Sequence, residues 1–249
     1  MASFFNILNP FKHENVQPQQ GESPVQIGNF LCKVPQDHVK PKTIERVAAF
    51  GFADAKEGEP LYQDAFEVAK ALAQAGYTVI DGGGPGVMRA VSLGVKAGGG
   101  KAIGVTFYPR DMKNFEGRDP LNTIDEEIKT NTYVERTLTL MKEGQIYVVF
   151  NGGTGTISEF GMAWGLARLY FGHHKPLILY GEFWINIIEV FKQNMRLRPE
   201  ELQVFKFANS PHEVLMAITS FEREIQAGLH KHIKLTDNGS SHSEEAFKL

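Results

Sequence analysis

The stretch Ile146-Tyr147-Val148-Val149-Phe150-Asn151-Gly152-Gly153-Thr154-Gly155-Thr156-Ile157-Ser158-Glu159 decides the fold. Its opening from Ile146 to Phe150 is an uninterrupted apolar run, as expected of a strand buried on both faces. Glycines follow at once, and Thr156 to Leu169 then reads as a helix. Glycine lets the chain turn sharply and leaves room for a ligand. The first amides of a helix have no partners inside it and point outward at the positive end of its dipole. A phosphate suits that place, and Thr154, Thr156 or Ser158 can add hydroxyl donors. Glu159 has two readings. Thr156 and Glu159 have the spacing of a capping box, which makes the carboxylate structural. With an anion bound, the same carboxylate faces the sugar, where it can hold hydroxyls or a water.

The pattern repeats on either side. Upstream, Arg46 to Ala53 reads as a strand and Leu61 to Ala75 as a helix, with Ala65, Leu72 and Ala73 on its apolar face and Gly76 as its C-cap. Thr78 to Ile80, Ala102 to Phe107 and the acidic Ile124 to Ile128 read as strands. Val87 to Ala97 and Thr132 to Glu143 read as helices. Downstream come a strand at Pro176 to Tyr180 and helices at Trp184 to Met195 and His212 to Ile225. This alternation predicts an α/β fold, a Rossmann-like parallel sheet with helices on both faces. It predicts a single nucleotide-binding domain over residues 44–227, a flexible N-terminal extension over 1–43 and a disordered tail over 228–249. Ligands of such sheets bind beyond the carboxyl ends of the strands, which points to the loops after Ile80 and Phe150.

Composition narrows the partners. Lys and Arg number 26 against 29 Asp and Glu, a net charge of −3 without a basic block. That argues against nucleic acid as a partner and leaves room for a small anion. Cys32 is the single cysteine, which excludes an intramolecular disulfide and a multi-cysteine metal site and suits the cytoplasm. No apolar run reaches membrane-spanning length, and Met1 to Pro10 lacks the basic start of a signal peptide. No membrane partner is expected.

Two further segments carry chemistry. Asp81-Gly82-Gly83-Gly84-Pro85-Gly86-Val87-Met88 is again strand, glycines, helix. It fails the dinucleotide fingerprint, because Arg89 stands at the final small position, and it fails the P-loop pattern. Two such loops suit a mononucleotide. Asn131-Thr132-Tyr133-Val134-Glu135-Arg136 holds a capping box that accounts for Glu135 but not for Arg136. A cation in the first turn of a helix is disfavoured by the dipole and calls for an anionic partner. Asp125, Glu126 and Glu127 are the structural choices; a ligand phosphate or Glu159 is the functional one. His173-His174-Lys175-Pro176 reads as an exposed turn, and Gly161 and Gly165 as sites of close helix packing that can mark a subunit contact.

These motifs resemble those of the LOG family of nucleoside 5′-monophosphate phosphoribohydrolases, long mislabelled lysine decarboxylases. Gly152 to Glu159 resembles its Pro-Gly-Gly-x-Gly-Thr-x-x-Glu signature. Gly82 to Met88 resembles its upstream glycine segment, and Glu135-Arg136 its Glu-Arg-Lys. The match covers roughly residues 45–225. The resemblance implies a catalytic pair, Arg136 and Glu159. It implies phosphate binding by Gly152, Gly153, Gly155 and Thr156, joined by Thr154, with Gly83, Gly84, Gly86 and Met88 from the second loop. It implies hydrolysis of the N-glycosidic bond to free base and ribose 5-phosphate, no metal, no cofactor, and a homodimer or higher homo-oligomer. The chain departs from the family at Asn151 for Pro, Thr137 for Lys, Thr154 for a frequent aromatic and Asp81 for a common Tyr. The alternative is a non-catalytic nucleotide or molybdenum-cofactor carrier, since related Rossmann-like proteins bind without hydrolysing.

Overall fold

The computed structural model describes residues 43–109, 117–169 and 175–227. Apart from Thr43, the two extensions read from the sequence lie outside them, as do His173 and His174.

The elements alternate along the chain. They are β1 (Arg46–Phe50), α1 (Pro60–Gln74), β2 (Thr78–Asp81), α2 (Val87–Ala97), β3 (Ala102–Phe107), β4 (Glu126–Thr130) and α3 (Tyr133–Glu143). There follow β5 (Ile146–Val149), α4 (Thr154–Leu169), β6 (Leu177–Tyr180), α5 (Phe183–Asn194), a 3₁₀ turn (Pro199–Leu202), β7 (Phe205–Ala208) and α6 (Pro211–Ala227). The seven strands form one sheet in the order β4-β3-β2-β1-β5-β6-β7. Every strand pair is parallel. The fold is therefore the Rossmann-like α/β sheet expected from the alternation.

The pleat explains the two cores. Ile146, Val148 and Phe150 pack with Val47, Ala49 and the inner faces of α1, α2 and α6. Tyr147 and Val149 point the other way, with Ala48 and Phe50, onto α3, α4 and α5. A central strand buried on both faces has no polar alternation, which is why Ile146 to Phe150 is wholly apolar.

Chain ends of the helices follow local chemistry. Pro60 opens α1, where its missing N–H costs nothing. Gly76 closes it at φ +83°, in a left-handed conformation that a side chain would strain. Its amide and that of Tyr77 reach back to Ala73 and Leu72 carbonyls.

Three of the differences from the sequence reading stand out. First, α4 starts at Thr154, two residues earlier than expected, so Thr156 lies inside the helix. Second, the short edge strand β7 was not anticipated; its Lys206 and exposed Phe207 blur any alternation. Third, Lys175 is buried and is not part of an exposed turn. Its ammonium donates to the carbonyls of Met141 (2.5 Å), Gly144 (3.0 Å) and Lys142 (3.2 Å), closing the end of α3 where carbonyls lack helical partners. Burial lowers the Lys175 pKa to about 8, against the pull of Glu143. Helix closure by a cation fits the dipole, negative at that end.

Candidate functional site

In this strand order β1 and β5 are neighbours while their crossovers leave in opposite directions. The crevice beyond their carboxyl ends is the topological switch point, where ligands of doubly wound sheets bind. A cleft of about 350 Å³ lies there, within the range of small-molecule sites. The loop after β1 lines it with Phe52, Ala53 and Asp54; the loop after β2 adds Gly82, and the start of α2 adds Met88. Tyr133 and Arg136 enter from α3, and Gly153, Thr154, Gly155, Thr156 and Glu159 from the start of α4.

The start of α4 is built to come close to its neighbours. A Cβ on Gly152 would stand 2.1 Å from Thr156 Oγ1 and 3.0 Å from the Phe52 amide. Nothing crowds Gly153, and Gly155 faces only the Tyr133 hydroxyl at 3.6 Å. The Phe52 amide donates to the Asn151 carbonyl at 3.0 Å, locking the β1 loop to the β5 loop.

Arg136 and Glu159 meet at the floor. Arg136 Nη1 lies 3.8 Å from Glu159 Oε1, and the two side chains are 7% and 10% exposed. At that distance the pair is electrostatic and not a direct hydrogen bond. Arg136 Nε donates to the Val105 carbonyl at 3.0 Å and Nη2 to the Gly82 carbonyl at 3.1 Å. The acidic residues near in sequence are engaged elsewhere. Asp125 pairs with Lys96, Glu126 with Lys101, and Glu127 accepts from Thr106 and Tyr108. Burial raises the Glu159 pKa to about 7, while Arg136 holds it down. The capping-box reading of Glu159 fails because α4 begins at Thr154, which places Glu159 in the second turn. At Thr132 a cap does form: its hydroxyl accepts from the Glu135 amide at 3.0 Å, and Glu135 accepts from Asn131 N at 2.8 Å.

The second glycine loop divides. Gly82 and Met88 line the cleft, whereas Gly83, Gly84 and Gly86 are not among the lining residues, and neither is Gly152. Gly83 and Gly84 are tied to a buried polar network beneath. Asp81 accepts from the Gly83 amide and the Ser92 hydroxyl, each at 2.6 Å, and from Asn122 at 3.3 Å. Asn122 also donates to the Gly84 carbonyl at 2.8 Å. Burial raises Asp81 to about 6 against these bonds. Gly86 sits at φ +64°, where a Cβ would stand 2.3 Å from the Ala53 carbonyl oxygen. Its neighbour Val87 donates to the Phe52 carbonyl at 2.9 Å, so α2 docks on the β1 loop.

Sequence reasoning missed Phe52, Asp54 and Tyr133. The signal for the first two was a strand ending in Gly51, but only the strand order shows that this loop faces the one after β5. Among the described residues no cluster of three or more His, Cys, Asp or Glu could hold a metal, and no helix is long and apolar enough to cross a membrane.

Fold and site together define a Rossmann-like protein with a glycine-rich helix start at its switch point and a buried Arg–Glu pair beside it. The chain belongs to the SLOG cluster4 family, whose family model matches residues 45–205. It is 33% identical over 150 residues to a cytokinin riboside 5′-monophosphate phosphoribohydrolase of Mycobacterium tuberculosis, covering 56% of this chain and 76% of that relative. The LOG resemblance read from the motifs therefore stands. Among solved structures, the molybdenum cofactor carrier protein of Chlamydomonas reinhardtii superposes with a TM-score of 0.53 at 20% identity, covering 72% of this chain and 98% of that one. The molybdenum cofactor binding protein of Rippkaea orientalis gives 0.54 at 22% identity, covering 72% and 96%. At such identities these two likenesses speak to the fold alone.

Proposed function

We propose that the chain hydrolyses the N-glycosidic bond of a nucleoside 5′-monophosphate, giving free base and ribose 5-phosphate. The observation that carries this reading is the buried Glu159 carboxylate beside Arg136, in the same cleft as the first turn of α4. The relative from M. tuberculosis supports it. The amides of Gly153 to Thr156, with the Thr154 and Thr156 hydroxyls, receive the 5′-phosphate at the positive end of the helix. That anchor orients the ribose over Glu159. As the C1′–N bond breaks, positive charge gathers on the sugar, and the carboxylate stabilises it. A water oxygen then bonds to C1′ as the C1′–N bond breaks; the departing base nitrogen takes a proton from solvent, and the proton that Glu159 accepts from the attacking water returns to solvent. Glu159 takes the proton from that water, and Arg136 holds Glu159 in place.

The test is a product screen of AMP, GMP, CMP, UMP, IMP and an N6-prenylated AMP, with free base and ribose 5-phosphate read by chromatography. Release that is absent in Glu159→Gln supports the hydrolase. Binding of the same nucleotides without release points to the carrier reading.

A homodimer, or a larger assembly of dimers, accompanies this reading. Its support is the outer face of α4, where Ile157 and Leu169 are exposed and, among the described residues, no atom beyond the helix's own backbone lies within 4 Å of a Cβ on Gly161 or Gly165. Gly161→Trp has room in a single chain, so it should leave folding intact while lowering the mass seen by light scattering. An unchanged mass would remove α4 from the contact.

A further inference from the structure

We propose that Tyr133 is a further binding residue of this site: its hydroxyl covers the open side of the α4 cradle and donates to the ligand phosphate. The inference rests on the reading of the first turn of α4 as an anion cradle. It does not require that the bound ligand be hydrolysed.

The phenol lies across that turn. Its oxygen is 3.4 Å from Ser158 Oγ, and 3.6 Å from where a Cβ on Gly155 would stand. Tyr133 lines the cleft together with Gly153, Thr154 and Thr156. Ser158 already spends its proton on the Gly155 carbonyl, at 2.8 Å. Toward Tyr133 it can therefore only accept, and Tyr133 is the donor in that pair. At 3.4 Å the bond is long and weak. Exchanging it for a short, charge-assisted bond to a phosphate oxygen is favourable.

The charges around the cleft give the hydroxyl its weight. Among the described lining residues Arg136 is the single cation. Two of its nitrogens serve the carbonyls of Val105 and Gly82, and the third faces Glu159. Thr137, at the position where the resembled family carries Lys, is buried and turns its hydroxyl back to the Tyr133 carbonyl at 3.1 Å. Besides Arg136, the side-chain donor of the first turn of α3 that faces α4 is then the phenol of Tyr133.

Tyr133→Phe deletes that oxygen and keeps the ring, and the Thr137 bond goes to the backbone of residue 133, which the change leaves alone. The experiment is calorimetric titration of the full-length protein and the variant with ribose 5-phosphate and with ribose. Ribose 5-phosphate makes the result independent of the base. The wild type should bind ribose 5-phosphate, and Tyr133→Phe should bind it about tenfold more weakly, as for loss of one hydrogen bond to a charged group. Any weaker binding of ribose itself should be the same in both proteins. Equal affinity for ribose 5-phosphate in both proteins, or an equal loss for both sugars, overturns the assignment. If the wild type does not bind ribose 5-phosphate at all, the cradle fails and Tyr133 with it. Binding without any turnover of nucleotides leaves Tyr133 standing and removes only the hydrolase reading.

Discussion

Gly82 and Arg136 occupy one another's space: a Cβ on Gly82 would stand 1.6 Å from Nη2 of Arg136. The guanidinium takes the place that a Cβ would fill and donates to the Gly82 carbonyl at 3.1 Å. The glycine of the second loop thus makes room for a side chain. Gly82→Ala should push Arg136 off Glu159 and lower kcat/KM by about 100-fold, the scale expected for a displacement near 1 Å at a reacting centre. Circular dichroism should show the fold kept. Activity within threefold of wild type would mean that the position of Arg136 is not needed.

The rate should depend on pH through Glu159. Its pKa is raised by burial to about 7. A carboxylate that accepts a proton from water or steadies a cation works when ionised. kcat should therefore rise with pH up to about 7 and level off above it. A rate that instead falls above pH 7 would assign Glu159 as a proton donor to the leaving base.

The same shift has a stability consequence with a definite sign. Folding raises the Glu159 pKa above its ordinary value, so the folded state binds more protons than the unfolded one. Its contribution favours the fold at low pH and is lost as pH rises from the ordinary carboxylate range through about 7. Glu159→Gln carries no such penalty. It should be more stable than wild type at pH 8, on the order of 1–3 kcal/mol, with the gain fading toward pH 5. Urea unfolding at both pH values measures it, and a gain equal at both would refute the titration.

Lys175→Met should lower stability by about 2–4 kcal/mol, since the Lys142 and Gly144 carbonyls lose the ammonium and the Met141 carbonyl is left with the Tyr147 hydroxyl. The urea midpoint should fall while kcat of the folded fraction stays unchanged, because the substitution is at the far end of α3 from Arg136.

The sheet was legible because its signals are local. Apolar runs such as Ala102 to Phe107 and the glycine stops after Leu72-Ala73 each report on a few neighbouring residues. The missing parts depend on distant ones. Phe205 to Ala208 is short and half-exposed, and it is a strand because β6 lies beside it. The start of α4 was misplaced because Thr154 and Gly155 look like loop residues; the close contact of Gly152 with Thr156 lets the helix begin there. Arg136 and Glu159 could be linked through their motifs. Phe52 and Asp54 could not, since their place at the cleft follows from β1 lying next to β5. The burial of Lys175 was hidden because a lysine beside two histidines reads as surface.

The pairing of Val47 with Ile146 has a consequence for how the protein is made. The cleft draws on loops after β1 and β2 and on the starts of α3 and α4, so it has no counterpart in any fragment that stops short of α4. A nascent chain completes this cleft only once the ribosome has released residues beyond Glu159. A small molecule that fills this cleft would bind the finished fold alone and draw the equilibrium toward it, by about 2.7 kcal/mol at a hundred times Kd.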